Sequence, residues 1–263
     1  MLSSTGLYYE TRGEGEPVLV IQGAVAEAGA TSQLADALVA ADHQVITYDH
    51  RGLSRSAGAA AVDVSIESHA EDAAELLRTV TDRPARVIGT SIGAVIGLQL
   101  VVRHLDLVHA LVAHEPPLES VVPDPEQRSG LDEVAVLARD DVFAAVRHFA
   151  SLGGPSDDAK ESEASPPPPV GDPAANLRQF FTHDFEAVRS HAPDLERLAH
   201  SRVPLTITGG ERSRGRWEYR CAQKLAELLD QDLVELPGGH TSLVSHPAGT
   251  ASALLSLPAF KQI

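Results

Sequence analysis

The run Val87-Ile88-Gly89-Thr90-Ser91-Ile92-Gly93-Ala94 constrains this chain more than any other stretch. A β-branched apolar run enters it, and a long Ala/Leu/Val-rich segment leaves it. Between them lies G-x-S-x-G, the strand–turn–helix context of a nucleophile elbow. The logic is steric. The chain turns back on itself at a strained serine, and Gly89 and Gly93 leave room because neither carries a Cβ. Ser91 is then expected at the carboxyl end of a strand and the amino end of a helix, where free N–H groups and the helix dipole favour negative charge. Taken alone, the pentapeptide also suits a Gly-rich turn whose serine caps the helix, so the rest of the chain has to decide.

Its rhythm is regular. Strands are predicted over 7–11, 18–21, 44–48, 85–88, 108–113, 203–208 and 233–236, and helices over 31–41, 66–80, 92–104 and 219–229, with a closing helix opened by His246-Pro247. Continuous apolar runs such as Val18-Leu19-Val20-Ile21 mark strands buried on both faces. Strands alternating with helices predict an α/β fold with a mostly parallel, doubly wound sheet. Functional groups in such sheets gather beyond the carboxyl ends of the strands, where Gln22, Asp49, Ser91 and Glu115 all fall. After Pro117 the rhythm stops. Residues 127–152 read as helical, 153–173 as a mobile Pro-rich loop, and 174–191 as helical again. The expected organisation is a core of residues 1–117 and 201–263 with a helical cap inserted at 118–200.

Composition narrows the partners. A formal charge of −16 disfavours nucleic acid and anionic membranes. The single cysteine, Cys221, excludes an intrachain disulfide and fits a reducing cytosol. The first residues lack a basic region followed by an apolar one, and no apolar run is long enough for a bilayer, so a cytoplasmic location is expected. Among the basic residues only Lys160, Lys224 and Lys261 are lysine, as a GC-rich bacterial genome would give. The expected partner is a small molecule, with the protein a monomer or homodimer.

Four pieces in order carry a resemblance: the loop Gln22-Gly23-Ala24, the turn Tyr48-Asp49-His50-Arg51-Gly52, the segment around Ser91, and Gly239-His240 before the last helix. With them the chain resembles the α/β-hydrolases over nearly its whole length outside the insertion. The resemblance implies Ser91 as nucleophile and His240 as its base, since a serine hydroxyl attacks only when a base takes its proton. It also implies an oxyanion hole made by the N–H groups of Ile92 and Ala24. The family usually places His-Gly before that second donor; here Gln22 replaces the His.

The acid departs from the pattern. The family's Gly-x-x-Asp frame falls on Gly210-Glu211-Arg212-Ser213, so a serine stands where aspartate is expected. Three readings stay open: Glu115 at the end of the strand after the elbow helix, as in haloalkane dehalogenases; Glu211; or no working acid. Glu115 is preferred, keeping the chain order Ser…Glu…His. Gln22, His50 and His114 are candidates for the pocket wall, and Asp49 and Arg51 read as structural. Some of Phe143, Val146, Phe149, Phe180, Phe181 and Phe185 are expected to line a substrate pocket. No metal or cofactor is implied. The reading is a cofactor-free serine hydrolase acting on an ester, thioester or lactone of a small, largely apolar substrate. The alternatives are a lyase, cyclase or acyl transferase on the same scaffold, or a silent ligand-binding member.

Overall fold

A computed structural model describes residues 1–59, 64–153 and 159–261. The core elements are β1 (Tyr9–Arg12), β2 (Glu16–Ile21), α1 (Ser32–Val39), β3 (His43–Tyr48), α2 (Ile66–Val80), β4 (Ala85–Thr90), α3 (Ile92–Arg103) and β5 (Val108–His114). An insertion follows, carrying α4 (Pro125–Leu137), α5 (Val142–Leu152), α6 (Pro173–Gln179), a π-helical turn (Phe180–Asp184), α7 (Phe185–Ser190) and α8 (Leu195–Ala199). The core resumes with β6 (Leu205–Gly210), α9 (Trp217–Leu228), β7 (Val234–Leu236), α10 (Ser242–Ser245) and α11 (Pro247–Ser256).

Among the described residues seven strands form one sheet in the order β1-β3-β2-β4-β5-β6-β7, and of these only β1 runs antiparallel, pairing Tyr9 with Tyr48. The apolar runs explain the layering. Leu19 and Ile21, Val87, Leu111 and Ala113 face one side, with α2, α3 and α9; Val18 and Val20, Ile88, Ala110 and Val112 face the other, with α1 and α11. Each Val, Leu or Ile among them, fully buried, contributes about 1.5–3 kcal/mol, so the period-two alternation with both faces apolar favours a sheet covered by helices on both sides. The fold is thus α/β and mostly parallel. No helix among the described residues is long and apolar enough to cross a membrane.

The insertion departs from its expected form in two ways. The helix expected over 127–152 is two helices, because Asp141 turns the chain and caps α5 by accepting from the Phe143 and Ala144 N–H groups. The Pro-rich segment expected to be mobile is anchored where it is described. Glu27 accepts the N–H groups of Val170 and Gly171 at 2.7 Å each, Gln33 accepts from Ser165 N, and Glu161 accepts from Ala248 N and Gly249 N at the start of α11. Residues 154–158 of that loop lie outside the described residues. A buried pair, His69 of α2 and Asp184 of the π-helical turn, joins core to insertion at 2.8 Å.

Candidate active site

Parallel strands deliver their following loops to one edge, and the predicted residues meet there. Ser91 sits between β4 and α3 with φ +54°, a conformation that costs a non-glycine residue of the order of 1–3 kcal/mol. The crowding around it explains the glycines. A Cβ at Gly89 would stand 2.3 Å from the Gly93 carbonyl oxygen, and one at Gly93 would stand 2.2 Å from that of Ile21. The Ser91 side chain makes no capping hydrogen bond to α3, so the alternative reading as a helix cap is not realised.

The loop after β2 passes over this turn: a Cβ on Gly23 would lie 3.4 Å from Ser91 Cβ. Ala24 and Ile92 both line the cavity that Ser91 lines. Among the described residues neither of their N–H groups has a hydrogen-bond acceptor. Gln22, expected at the pocket wall, is instead buried beneath the loop and braces it, donating to Thr31 Oγ1 at 2.9 Å and the Ala28 carbonyl at 3.3 Å. Asp49 holds the same loop by accepting from Ala28 N at 2.7 Å, while Arg55 neutralises it. Arg51 grips Asp72 of α2 through two nitrogens. Both members of that turn bind within the core, as their structural reading requires.

His240 follows β7 and lines the cavity with Ser91. Its Nδ1 lies 2.7 Å from Glu115 Oε2. Glu115 is wholly buried just beyond β5, with φ +46°. Its other oxygen accepts from Gly210 N at 2.8 Å and from the Ser213 hydroxyl. Burial alone would raise this carboxyl's pKa; the hydrogen bond and charge of His240 dominate the opposing effects, and it falls to about 2. Burial likewise pulls the His240 imidazole down, but the Glu115 hydrogen bond and charge outweigh it and leave the pKa above its ordinary value. The pair is therefore arranged to favour imidazolium beside carboxylate.

Glu211, the rival acid, is exposed on the turn after β6, and the carboxylate on His240 is that of Glu115. His114 does not line the cavity either. It is buried under His240, rings 6.5 Å apart, and burial lowers its pKa. Its Nε2 lies 3.2 Å from the Gly239 carbonyl and its Nδ1 lies 3.0 Å from Thr208 Oγ1. A carbonyl only accepts, so Nε2 carries the proton, and His114 steadies the backbone just before His240. His50 is the third correction. It is buried between Tyr48 and His69, away from the cavity, with burial pushing its pKa down to about 3.

The cavity holds about 240 Å³, at the small end for ligand pockets. Leu131, Phe149, Phe180, Phe185 and Val188 of the insertion form its apolar wall. Of the other rings expected there, Phe181 packs within the insertion's core and Phe143 is exposed. Sequence reasoning missed Thr241 and Trp217, the latter fixed by its Nε1 donating to the Val122 carbonyl at 3.1 Å. Their signal was position: Thr241 adjoins His240, and Trp217 opens the helix after β6. Glu119, Arg189, Arg216 and Glu218 add charge to the wall. Among the described residues no group of three His, Cys, Asp or Glu side chains converges as metal ligands.

A strained serine at the strand–helix turn, with seven strands in this order and direction, defines the α/β-hydrolase class. The family model described as serine aminopeptidase, S33 matches residues 15–147. The chain is 32% identical over 240 residues to the uncharacterized hydrolase YraK of Bacillus subtilis (strain 168), covering 89% of this chain and 86% of that one. It belongs to this α/β-hydrolase family and is a hydrolase. Solved structures share its fold. An esterase from Exiguobacterium antarcticum superposes with a TM-score of 0.76 at 19% identity, covering 97% of both chains. The enol-lactonase from Burkholderia xenovorans LB400 gives 0.67 at 19% identity, covering 95% of both.

Proposed function

We propose that this protein is a cofactor-free serine hydrolase of small, largely apolar carboxylic esters, thioesters or lactones. In this reading Ser91 attacks the acyl carbon while His240 takes its proton. Glu115 orients the imidazole and stabilises its charged form, and the Ala24 and Ile92 N–H groups receive the oxyanion. The intermediate then collapses, the bond to the alcohol or thiol breaks, and the leaving group takes the proton held by His240; water, deprotonated in turn by His240, adds to the acyl group and releases the acid from Ser91, whose oxygen regains its proton. The observation that carries the reading is the hydrogen bond from His240 Nδ1 to buried Glu115, in one cavity with a serine whose hydroxyl caps nothing. The apolar wall from the insertion, acting as a cap, supports a hydrophobic acyl group of modest size. An esterase and an enol-lactonase among its structural neighbours agree with acyl chemistry. The lone cysteine, buried, suits a cytoplasmic enzyme.

Labelling with a fluorophosphonate, read by intact mass, tests it. One label on the wild type, lost in Ser91→Ala and His240→Ala, is the expected result. A folded wild type that takes no label, and hydrolyses no p-nitrophenyl ester from acetate to octanoate, overturns it.

A further inference from the structure

We infer that His69 is a positioning residue that sets which acyl groups the protein accepts, by holding through Asp184 the turn that carries Phe180 and leads into Phe185. The inference rests on the reading of Ser91 as the nucleophile and of the insertion as the acyl wall.

The turn has its own register. Residues 173–190 are helical throughout, but Phe180–Asp184 form a π turn, and the Phe185 N–H donates to the Phe180 carbonyl. In an α-helix, residues five apart stand about 140° from each other around the axis. A π turn closes over five residues and returns Phe185 to the face of Phe180. Their rings stand 5.9 Å apart, and both line the cavity together with Val188. Asp184, between them in sequence, does not line it. It is wholly buried against α2, where its Oδ1 lies 2.8 Å from His69 Nε2. The turn therefore faces two ways, with aromatic rings toward the substrate and a carboxylate toward the core.

The carboxylate only accepts, so Nε2 carries the proton. Among the described residues this is the one hydrogen bond of the Asp184 side chain, because Oδ2 has no partner. His69 Nδ1, both His50 nitrogens and Tyr48 Oη have none either. A shift of the turn by about 1 Å would take the contact beyond hydrogen-bonding distance. It would leave a carboxylate buried without a partner, which is costly. Phe180 and Phe185 also pack with Leu131, Val134 and Phe149, but those residues belong to the insertion and move with it. Ser91 belongs to the core. Among the described residues no other hydrogen bond or ion pair ties Phe180–Phe185 to the core. His69 is fixed in turn by α2, whose start is closed by the reciprocal caps of Ser65 and Ser68. The distance from the nucleophile to the rings that meet the acyl chain is thus set through His69.

The test measures kcat/KM for p-nitrophenyl acetate, butyrate and octanoate in wild type, His69→Leu, His69→Gln and His69→Leu/Asp184→Leu. Thermal melts check folding, and fluorophosphonate labelling checks Ser91 in each. In His69→Leu the octanoate-to-butyrate ratio of kcat/KM is expected to rise at least about tenfold, since a fixed apolar wall discriminates about tenfold or more per methylene. With acetate, the shortest acyl group, kcat should stay within about threefold. His69→Gln, whose amide N–H replaces Nε2, is expected to restore the wild-type ratio. A ratio within about twofold of wild type in folded His69→Leu overturns the inference. So does a loss spread evenly over the three esters, the mark of a merely structural role. In both cases labelling of the wild type keeps the underlying serine-hydrolase reading. Should His69→Leu fail to fold, the double variant, which leaves neither polar group unpaired, decides by the same ratio. A wild type that neither labels nor hydrolyses overturns both.

Discussion

Replacing Glu115 by glutamine keeps the volume of the side chain and removes its charge. Glu115 is wholly buried and touches His240, Ser213 and Gly210. Its pKa of about 2, against an ordinary 4.5, means that the site prefers the ionised form by roughly 3 kcal/mol. Burial opposes that preference, and the His240 contact is the largest effect overcoming it. The carboxylate stabilises the imidazolium in return, so losing it costs about 10²-fold in kcat by charge alone. Glutamine also presents either an amide N–H or a carbonyl to Nδ1. The former selects the wrong imidazole tautomer and extends the loss toward about 10⁴-fold. Glu115 does not line the cavity, so KM should stay within about twofold. The pH profile gives an independent sign. In the wild type, burial lowers the His240 pKa and Glu115 more than offsets it. Without the charge, burial remains and the pKa falls, so the ascending limb moves to lower pH. Steady-state hydrolysis of p-nitrophenyl butyrate between pH 4 and 9 measures both. A loss under about tenfold, an unmoved limb, or an equal loss in Glu211→Gln would refute the reasoning.

Other perturbations test the scaffold. The depressed Glu115 pKa contributes stability that is complete above its unfolded value of about 4.5 and is lost as pH falls toward 2. Glu115→Gln should therefore melt below the wild type at pH 7, with the gap closing toward pH 2. Gly93→Ala places a Cβ 2.2 Å and 2.5 Å from the Ile21 and Gln22 carbonyl oxygens. It should cost about 1–3 kcal/mol, lowering Tm by some 2–10 °C, and reduce kcat by moving the Ala24 loop. Glu27→Ala removes the acceptor of the Val170 and Gly171 N–H groups, and hydrogen exchange at those two amides should accelerate while α2 stays protected. Cys221 is buried, with burial pushing its thiol up to about 12; iodoacetamide should leave it untouched at pH 8 until the protein unfolds.

The parallel sheet was legible because its strands are buried on both faces and carry nearly unbroken apolar runs. Val18–Ile21 and Val108–Ala113 have no amphipathic helix among their alternatives. The helix over 66–80 appears with its expected bounds because Ser65 and Ser68 cap each other's backbone at its start. The insertion was less legible, since its helices are short and their order comes from tertiary contacts. Asp141 breaks an otherwise continuous helical pattern, and Glu27, more than a hundred residues away in sequence, orders Val170 and Gly171. The pocket-wall assignments failed for one physical reason. Gln22, His50 and His114 do stand at the carboxyl edge, but their side chains turn into the core, and a position in sequence does not say which way a side chain points at a strand end.

The acid shows what a sequence frame can and cannot carry. The Gly-x-x-Asp frame, counted from the end of β6, falls on Ser213. It could not show that this residue lies against the carboxylate after β5. That follows from the register of two neighbouring strands: His114 pairs with Thr208, and Glu115 N donates to the Thr208 carbonyl at 3.0 Å. The pairing puts the first residue after β5 beside the last residue of β6, so Glu115 and Gly210 share a hydrogen bond and Ser213 closes over them. Two loops distant in sequence thus meet at one carboxylate: the loop after β5 supplies the charge beside His240, and the loop after β6 supplies a hydroxyl that binds it. Ser213 is small enough to leave room for the Glu115 carboxylate and polar enough to bind it. The departure from the expected aspartate and the glutamate after β5 are therefore one feature, visible in the sequence only as two unrelated residues.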